Sequence, residues 1–168
     1  FDQGMYSWNH LAGAAMERYG ADRLTIPVEL NEREIRDSGV QGEMIVYGYL
    51  PMMISAQCIR KTTLGCSGKS EIMWLKDRKD MRFPVVNQCR FCYNTIYNSA
   101  PLSLLGLSEQ VTGLKPNAVR LNFTVEEPAA AGEILDAFFE EYGMSEKAAE
   151  PPVLRNQFTR GHFKRGVE

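Results

Sequence analysis

Several features that mark specialised classes of protein are missing from this sequence. No apolar run reaches the roughly 18 residues that a transmembrane helix needs. No basic segment followed by an apolar one marks a secretory signal, and internal repeats and low-complexity tracts are absent. The net charge is only −2, which gives no electrostatic argument for a nucleic-acid or membrane surface. We therefore expect a cytoplasmic protein with no membrane partner.

The length and composition are those of an ordinary globular domain. With 168 residues the chain can bury one core, and its 44% apolar and 24% charged residues fit a globular protein. The sequence begins with Phe1 and not with Met, so we expect an excised piece of a longer protein. The rest of that longer chain would then be a partner of this piece.

Cysteine is absent from most of the chain and concentrated in residues 47–99. The spacing is C-x7-C, then 22 residues, then C-x2-C. Two intervening residues allow both sulfurs of a C-x2-C pair to face one centre. The four candidate ligands of a metal ion or cluster are Cys58, Cys66, Cys89 and Cys92.

The segment between the two cysteine pairs predicts a β-hairpin. Residues 72–76 alternate in polarity, residues 77–80 form a polar turn, and residues 83–86 are apolar. Such a hairpin would bring both pairs to one point, where four thiolates hold a [4Fe–4S] cluster or zinc. Unliganded buried thiols and disulfides remain open alternatives.

Cys58 could instead be a nucleophile, because Arg60 and Lys61 follow it and a positive charge lowers the pKa of a thiol. A ligand role is the stronger interpretation, since three other cysteines lie within 35 residues of sequence.

The rest of the chain alternates between strand and helix patterns. The spacing of apolar residues predicts parallel β/α units, which fold as an open sheet or a barrel segment. We assign residues 1–143 to a partial β/α barrel domain with a cysteine-bearing hairpin insert at 55–99. We assign residues 144–168 to a linker and a C-terminal tail that docks on the domain or a partner. The predicted strands are residues 23–28, 43–47 and 118–125, and the predicted helices are residues 8–19, 32–37 (capped by Asn31) and 129–142.

Glu29 and Glu126 follow predicted strands at their carboxyl ends, where the sites of parallel sheets collect. Each is a candidate general acid or base, or a metal ligand. Each could instead cap the helix that follows or lie solvated in its first turn. We interpret His10 as structural, whereas His162 lies in a basic, aromatic tail that could approach a site. An excised half-barrel would expose sheet edges, so we expect self-association.

Several segments together resemble the collagenase-like peptidases, peptidase family U-thirty-two. The resemblance covers nearly the whole chain and is most specific in the cysteine-bearing core. It is carried by residues 46–58 (VYGYLPMMISAQC), 75–78 (LKDR), 83–85 (FPV), Cys89, 93–99 (YNTIYNS), Leu30 and Asn31 after Glu29, and 159–163 (TRGHF).

The resemblance implies a TIM-barrel-like catalytic region, of which this chain looks like the later half. Some members are named for degrading collagen or gelatin, so it implies proteolysis of a protein substrate. Others resemble RNA- or quinone-hydroxylating proteins with a four-cysteine [4Fe–4S] cluster. The first two cysteines of that motif match Cys58 and Cys66, with Cys89 and Cys92 as the other pair, although C-x2-C departs from the wider spacing of the hydroxylation relatives.

Three functions therefore stay open. The first is a peptidase in which a metal or a carboxylate activates water. The second is an iron–sulfur protein that modifies RNA or a small molecule, and the third is a zinc site that only stabilises the hairpin. The resemblance supplies no catalytic dyad or triad, and we expect the isolated piece to be inactive.

Overall fold

The computed structural model describes residues 1–143 and 157–166, which form a mixed α/β structure with two sheets. Two 3-10 turns, Gln3–Met5 and Cys89–Phe91, accompany the regular elements. These elements are α1 (His10–Arg18), α2 (Glu32–Ser38), β1 (Glu43–Gly48), β2 (Pro51–Ser55), α3 (Ile59–Thr63), β3 (Ile72–Lys76), β4 (Arg82–Gln88), β5 (Tyr93–Tyr97), β6 (Leu102–Ser103), α4 (Ser108–Gly113), β7 (Ala118–Asn122) and α5 (Pro128–Glu141).

The first sheet has the order β6-β1-β7, with β1 at its centre. β1 runs parallel to β7 and antiparallel to the short β6. Met44 to Gly48 are all buried, because the strand is covered on both faces and both edges are paired. A continuous apolar run is what such a strand requires.

The strand predicted for residues 23–28 is wrong. Only Thr25 forms a bridge, parallel to Glu43, flanked by hydrogen bonds from Ile26 N to Glu43 O and from Glu43 N to Leu24 O. Pro27 has no N–H to donate, so the ladder stops there. The chain therefore runs alongside the start of β1 without becoming a strand.

The second sheet has the order β2-β5-β4-β3, and all its pairs are antiparallel. β3 and β4 form a hairpin whose register runs from Ile72 opposite Val86 to Lys76 opposite Arg82. The Asp77 carboxylate closes the turn by accepting hydrogen bonds from Lys79 N (2.7 Å) and Met81 N (2.9 Å). An Asp side chain that bonds to the backbone two residues on is typical of such turns.

The helices begin where the sequence offers caps. Asn31 forms a capping box with Glu34 at the start of α2, as the predicted cap requires. α1 begins two residues later than predicted, because the cap is Asn9, whose side chain accepts from the first-turn amide of Ala12. α5 agrees closely with the predicted helix at residues 129–142, and Pro128 occupies its first turn.

The core lies between the first sheet, α4 and α5. The last described segment also covers it: Phe163 is buried in the core, and Thr159 bridges Leu102. The Arg160 guanidinium donates to the carbonyls of Ser103 (2.8 Å) and Leu105 (2.6 Å). The linker prediction falls mainly on residues 144–156, which lie outside the described residues.

Candidate metal centre

The four cysteines lie in three connections at one end of the second sheet. Cys58 follows β2 and precedes α3, and Cys66 lies in the loop before β3. Cys89 begins the 3-10 turn after β4, and Cys92 ends it in the left-handed region (φ 56°) just before β5. The C-x2-C pair is therefore a tight turn between two paired strands.

Two buried asparagines hold the other loops to this turn. Asn87 on β4 lies directly opposite Asn94 on β5, and they are only 1% and 0% exposed. The Asn94 amide donates to the carbonyl of Gln57 (2.8 Å), and the Asn87 amide donates to that of Lys69 (3.5 Å). The buried polar pair thus ties the loop before Cys58 and the loop after Cys66 to the same two strands.

Further contacts fasten the loop after Cys66. The amide of Cys89 donates to Ser70 Oγ (3.3 Å), and the amide of Asn87 donates to the Glu71 carbonyl (3.0 Å). Arg60 on α3 forms an ion pair with Glu71 (3.0 Å). This contact engages the guanidinium that was expected to activate Cys58, which weakens the reading of Cys58 as a nucleophile.

The thiols lie close to one another and to polar groups. The Cys58 thiol donates to Asn87 Oδ1 (3.9 Å), and the Cys92 thiol donates to the Cys89 carbonyl (3.7 Å). Desolvation raises the pKa of Cys89, and the neighbouring thiols of Cys66, Cys92 and Cys58 raise it further.

The thiols are neighbours but do not form a closed set of ligands. All four cysteines are free, so the disulfide alternative is not formed. Within the described residues, no three His, Cys, Asp or Glu side chains are close enough together to hold a metal ion. A neighbouring charge can shift the pKa of a thiol from much farther away than the 2.3 Å of a zinc–sulfur bond. Thiols that influence one another therefore need not be close enough to bind one metal ion. Cys66 is the exposed member, in a loop between Gly65 and Gly68, both with positive φ.

The predicted acidic residues lie elsewhere. Glu126 folds back on its own turn, where its Oε2 accepts from Thr124 N (2.6 Å) and Val125 N (2.9 Å). One oxygen of Glu29 and one of Glu126 are buried without a hydrogen-bond partner among the described residues. No hydrogen bond or ion pair between described residues joins these carboxylates to each other or to the cysteines.

Among the described residues, no hydrogen bond joins either histidine to a cysteine. His10 is exposed at the first position of α1. His162 Nδ1 lies 2.8 Å from the Gly166 carbonyl, inside the terminal turn. We find no contact in the described residues that would give either ring a catalytic role.

Charged residues are distributed unevenly along the sequence, which the net charge does not show. Residues 51–99 carry eight Lys and Arg but three Asp and Glu, whereas the rest of the chain carries eleven and eighteen. The cysteine region is therefore basic and the remainder acidic, and counting charge by region would have revealed it. Six of its basic side chains are exposed and form no ion pair with a described residue: Lys61, Lys69, Arg78, Lys79, Arg82 and Arg90.

Comparisons of the chain with protein-family models, curated proteins and solved structures give no match. The resemblance to the collagenase-like peptidases therefore remains a prediction. None of the described helices has the length and apolar character needed to cross a membrane.

Proposed function

We propose that Cys58, Cys66, Cys89 and Cys92 together bind a [4Fe–4S] cluster, with zinc as the competing occupant. The observation that carries this proposal is the Asn87–Asn94 pair, which fixes the loops of all four cysteines at one end of one sheet. A ligand set of four thiolates without carboxylates suits either occupant. Closing the site requires the thiols to move together, because no three candidate ligands among the described residues are close enough to hold a metal ion.

The charges around the cysteines support a bound cluster or zinc ion. A [4Fe–4S] cluster or a zinc ion with four thiolates carries net negative charge, which nearby cations offset. Lys61, Lys69 and Arg90 are exposed within a few residues of the cysteines and form no ion pair with a described residue. A bound cluster would supply electron-transfer or radical chemistry, whereas zinc would stabilise the loops.

Metal analysis of the intact protein tests the proposal. Protein purified without oxygen is expected to contain iron and sulfide and to absorb near roughly 400 nm, where thiolate-bound clusters absorb. Cys89→Ser should abolish this absorbance, whereas the control Ser67→Ala, beside Cys66, should retain it. Stoichiometric zinc without sulfide would assign the structural alternative. Absence of iron, sulfide and zinc would contradict the proposal.

Among substrates, the charge distribution favours RNA over protein. Trp74 and Phe91 are 55% and 66% exposed on the basic region, and the Arg90 guanidinium lies 5.3 Å from the centre of the Phe91 ring. Exposed aromatic rings among unpaired cations are the usual means of binding single-stranded nucleic acid. The resemblance to RNA-hydroxylating proteins points the same way.

A binding assay tests whether RNA binds at this surface or elsewhere on the molecule. We expect a fluorescent single-stranded RNA to bind with salt-dependent affinity. Trp74→Ala should weaken binding roughly fivefold to a hundredfold, the effect of losing one stacked base. Trp8→Ala removes the other tryptophan, which lies in the acidic region, and should leave affinity unchanged. Equal affinities of the two variants would exclude this surface.

The resemblance and the parallel strands together support a barrel origin for the first sheet. The isolated bridge of Thr25 and the strand β7 both pair in parallel with β1, whereas the short β6 pairs with it in the antiparallel direction. The two parallel pairings are the part of this sheet that a barrel would share. We propose that the first sheet is the later half of a TIM-barrel-like domain, with the cysteine hairpin inserted into it. Such a half would pair with the rest of its own chain or with a second copy. A monodisperse monomer of the isolated piece in sedimentation would contradict the exposed edges.

A peptidase activity is the second candidate, supported by one carboxylate oxygen each of Glu29 and Glu126 that is buried without a hydrogen-bond partner in the described part of the chain. It predicts that the full-length protein cleaves gelatin or casein, and that Glu29→Gln or Glu126→Gln removes the activity. Glu127→Gln, a neighbouring carboxylate without a cap contact, is the control. Lack of cleavage with and without added metals would exclude it.

A further inference from the structure

A small cavity lies between the first sheet and the last described segment, residues 157–166. Its volume is about 20 Å³, and its walls come from the stretch after Thr25, from α2, β1 and β6, and from that last segment. A cavity needs roughly 10–15 Å³ to hold one water molecule. This cavity therefore has room for one group of about the size of a methyl group.

The wall of the cavity is apolar except at one place. Ile26, Leu30, Ile35 and Phe163 are among its apolar lining residues, and Arg160 is the only charged or polar one. A buried water molecule needs about two to four polar partners, whereas apolar cavities stay dry and take up apolar molecules. The wall thus favours an apolar group attached to an anion over a water molecule.

The guanidinium of Arg160 has one edge that no described residue uses. Nη1 donates to the carbonyls of Ser103 (2.8 Å) and Leu105 (2.6 Å), and the centre of the Phe158 ring lies 4.7 Å from the central carbon of the guanidinium. Nε and Nη2 form no hydrogen bond and no ion pair with a described residue. The two N–H groups on one edge of a guanidinium match the two oxygens of a carboxylate.

No carboxylate of the described residues occupies that edge. Glu141 is the acidic residue whose charge acts on Arg160, but its Oε1 accepts from the amides of Gly106 (2.7 Å) and Ser108 (2.9 Å). Burial lowers the pKa of Arg160, and the charge of Glu141 offsets this only in part. A half-buried cation is costly without a paired anion, so an anion from outside the described residues gains from binding here.

The site is complete only when the last described segment is docked, because Arg160 and Phe163 belong to it. Hydrogen bonds from Ser103 N to the Thr159 carbonyl (2.9 Å) and from Glu32 N to the Phe163 carbonyl (2.8 Å) attach the segment to the domain. A ligand that binds only the docked form stabilises that form by mass action. Ligand binding should therefore protect these two amides from exchange with solvent.

We propose that the cavity and the free edge of Arg160 bind a short-chain carboxylate, whose oxygens accept from Nε and Nη2 and whose methyl group enters the cavity. A free short-chain acid offers this chemistry, and so does the C-terminal residue of a peptide when its side chain is small and apolar. None of the lining residues belongs to the loops of the cysteines, so the site does not depend on what the cysteines bind.

Four probes separate charge, size and source. Isobutyrate represents the free acid, and N-acetyl-valine, with the same isopropyl group beside a carboxylate, represents the end of a peptide. Isobutyramide has the shape of isobutyrate without its charge, and hexanoate has the charge with a chain too long for the cavity. Each probe is titrated into the full-length protein by calorimetry, and hydrogen exchange then shows where it binds.

We expect isobutyrate or N-acetyl-valine to bind saturably, and about tenfold or more tightly than isobutyramide, because only a carboxylate forms a charged pair with Arg160. Binding of one and not the other identifies the source. Hexanoate should bind no more tightly than isobutyrate, and the bound ligand should slow exchange at the amides of Ser103 and Glu32. No saturable binding by either carboxylate, equal affinities for isobutyrate, N-acetyl-valine and isobutyramide, or unchanged exchange at both amides would overturn the proposal.

Two pairs of variants test the residues of the site. Arg160→Lys keeps the charge but loses the two-pronged edge and should weaken binding about tenfold, whereas Arg165→Lys, at an exposed position of the same segment, should not. If Arg160→Lys fails to hold the segment, Val28→Ala gives a second test, because it widens the cavity without touching Arg160. It should shift the preference towards hexanoate about fivefold or more, roughly the effect of burying one or two further methylene groups. Val119→Ala, in a partly buried residue outside the cavity wall, should leave the preference unchanged, and equal preferences of the two Ala variants would overturn the proposal.

Discussion

The two sheets of this protein are stabilised in different ways. The first sheet packs its central strand β1 against α4, α5 and the terminal segment, and its core is apolar. In the second sheet β2 is almost entirely exposed, and the fully buried residues include the polar pair Asn87 and Asn94. Apolar burial therefore maintains the first region, whereas polar contacts, and in our proposal a bound cluster or zinc, maintain the second.

The same division separates the charges. The first region is acidic and the second is basic, so the overall charge of −2 describes neither of them. Met52, Met53 and Ile54 on β2 and Trp74 on β3 are exposed, although the first region has exposed apolar side chains as well, such as Leu11 and Tyr19. Because few of its residues are buried, we expect the second region to depend on its proposed site for stability.

Removing the proposed metal ion or cluster should give the largest effect, and it should destabilise the second region more than the first. Structural four-thiolate sites contribute on the order of 10 kcal/mol to folding in small metal-dependent domains. We expect chelation to expose the amides of β4 and β5 to hydrogen exchange while those of β1 stay protected. Uniform loss of protection, or none, would mean that the two regions do not differ as described.

A substitution in the apolar core should instead destabilise the first region. Phe138 is buried in α5 and packs against Tyr142, with ring centroids 4.6 Å apart. Phe138→Ala should lower the free energy of unfolding by about 3–5 kcal/mol whether or not metal is bound. Phe91→Ala, at an exposed ring of the second region, should change it by less than about 0.5 kcal/mol. Chemical denaturation of both variants checks the contrast, and similar losses would contradict it.

The asparagine pair offers a finer test of how the second region is maintained. Asn94→Ala removes the hydrogen bond to the Gln57 carbonyl and should cost about 1–3 kcal/mol of stability. Because Asn94 positions the loop of Cys58, metal affinity should also fall, by about tenfold to a hundredfold as for other residues that orient ligands. Asn117→Ala, an exposed amide in the first region, should change neither. Unchanged metal affinity in Asn94→Ala would remove the support for the proposed site.

Local sequence signals anticipated much of this arrangement. β1 and α5 were predictable because a buried strand requires an apolar run and an amphipathic helix repeats its apolar face. Asn31 was recognisable as a cap for a similar reason, since Glu34 follows at the spacing of a capping box. All three elements depend on residues close to one another in sequence.

The features that could not be predicted from the sequence depend on contacts between residues far apart in the chain. The direction of β6 and the bridge that replaces the strand at residues 23–28 depend on neighbours tens of residues away. Asn87 and Asn94 look like ordinary strand residues until their register places them opposite each other.

The smallest predicted effect concerns a hydroxyl in the first region. Tyr142 Oη is buried without a hydrogen-bond partner in the described part of the chain, and burial, with a smaller effect from Glu141, raises its pKa to about 12. The raised pKa contributes stability below the ordinary value near pH 10, and this stability is lost as the pH rises from there towards 12.

Tyr142→Phe removes both the unpaired hydroxyl and this titration. At pH 7 it should leave the free energy of unfolding unchanged or raise it by up to about 1 kcal/mol. Between pH 10 and pH 11 the wild type should lose more stability than the variant, since only the wild type has this phenol to ionise on unfolding. Urea denaturation at the two pH values measures both effects. A variant less stable at pH 7 would show that the hydroxyl has a partner, and the first region would then depend on polar contacts as the second does.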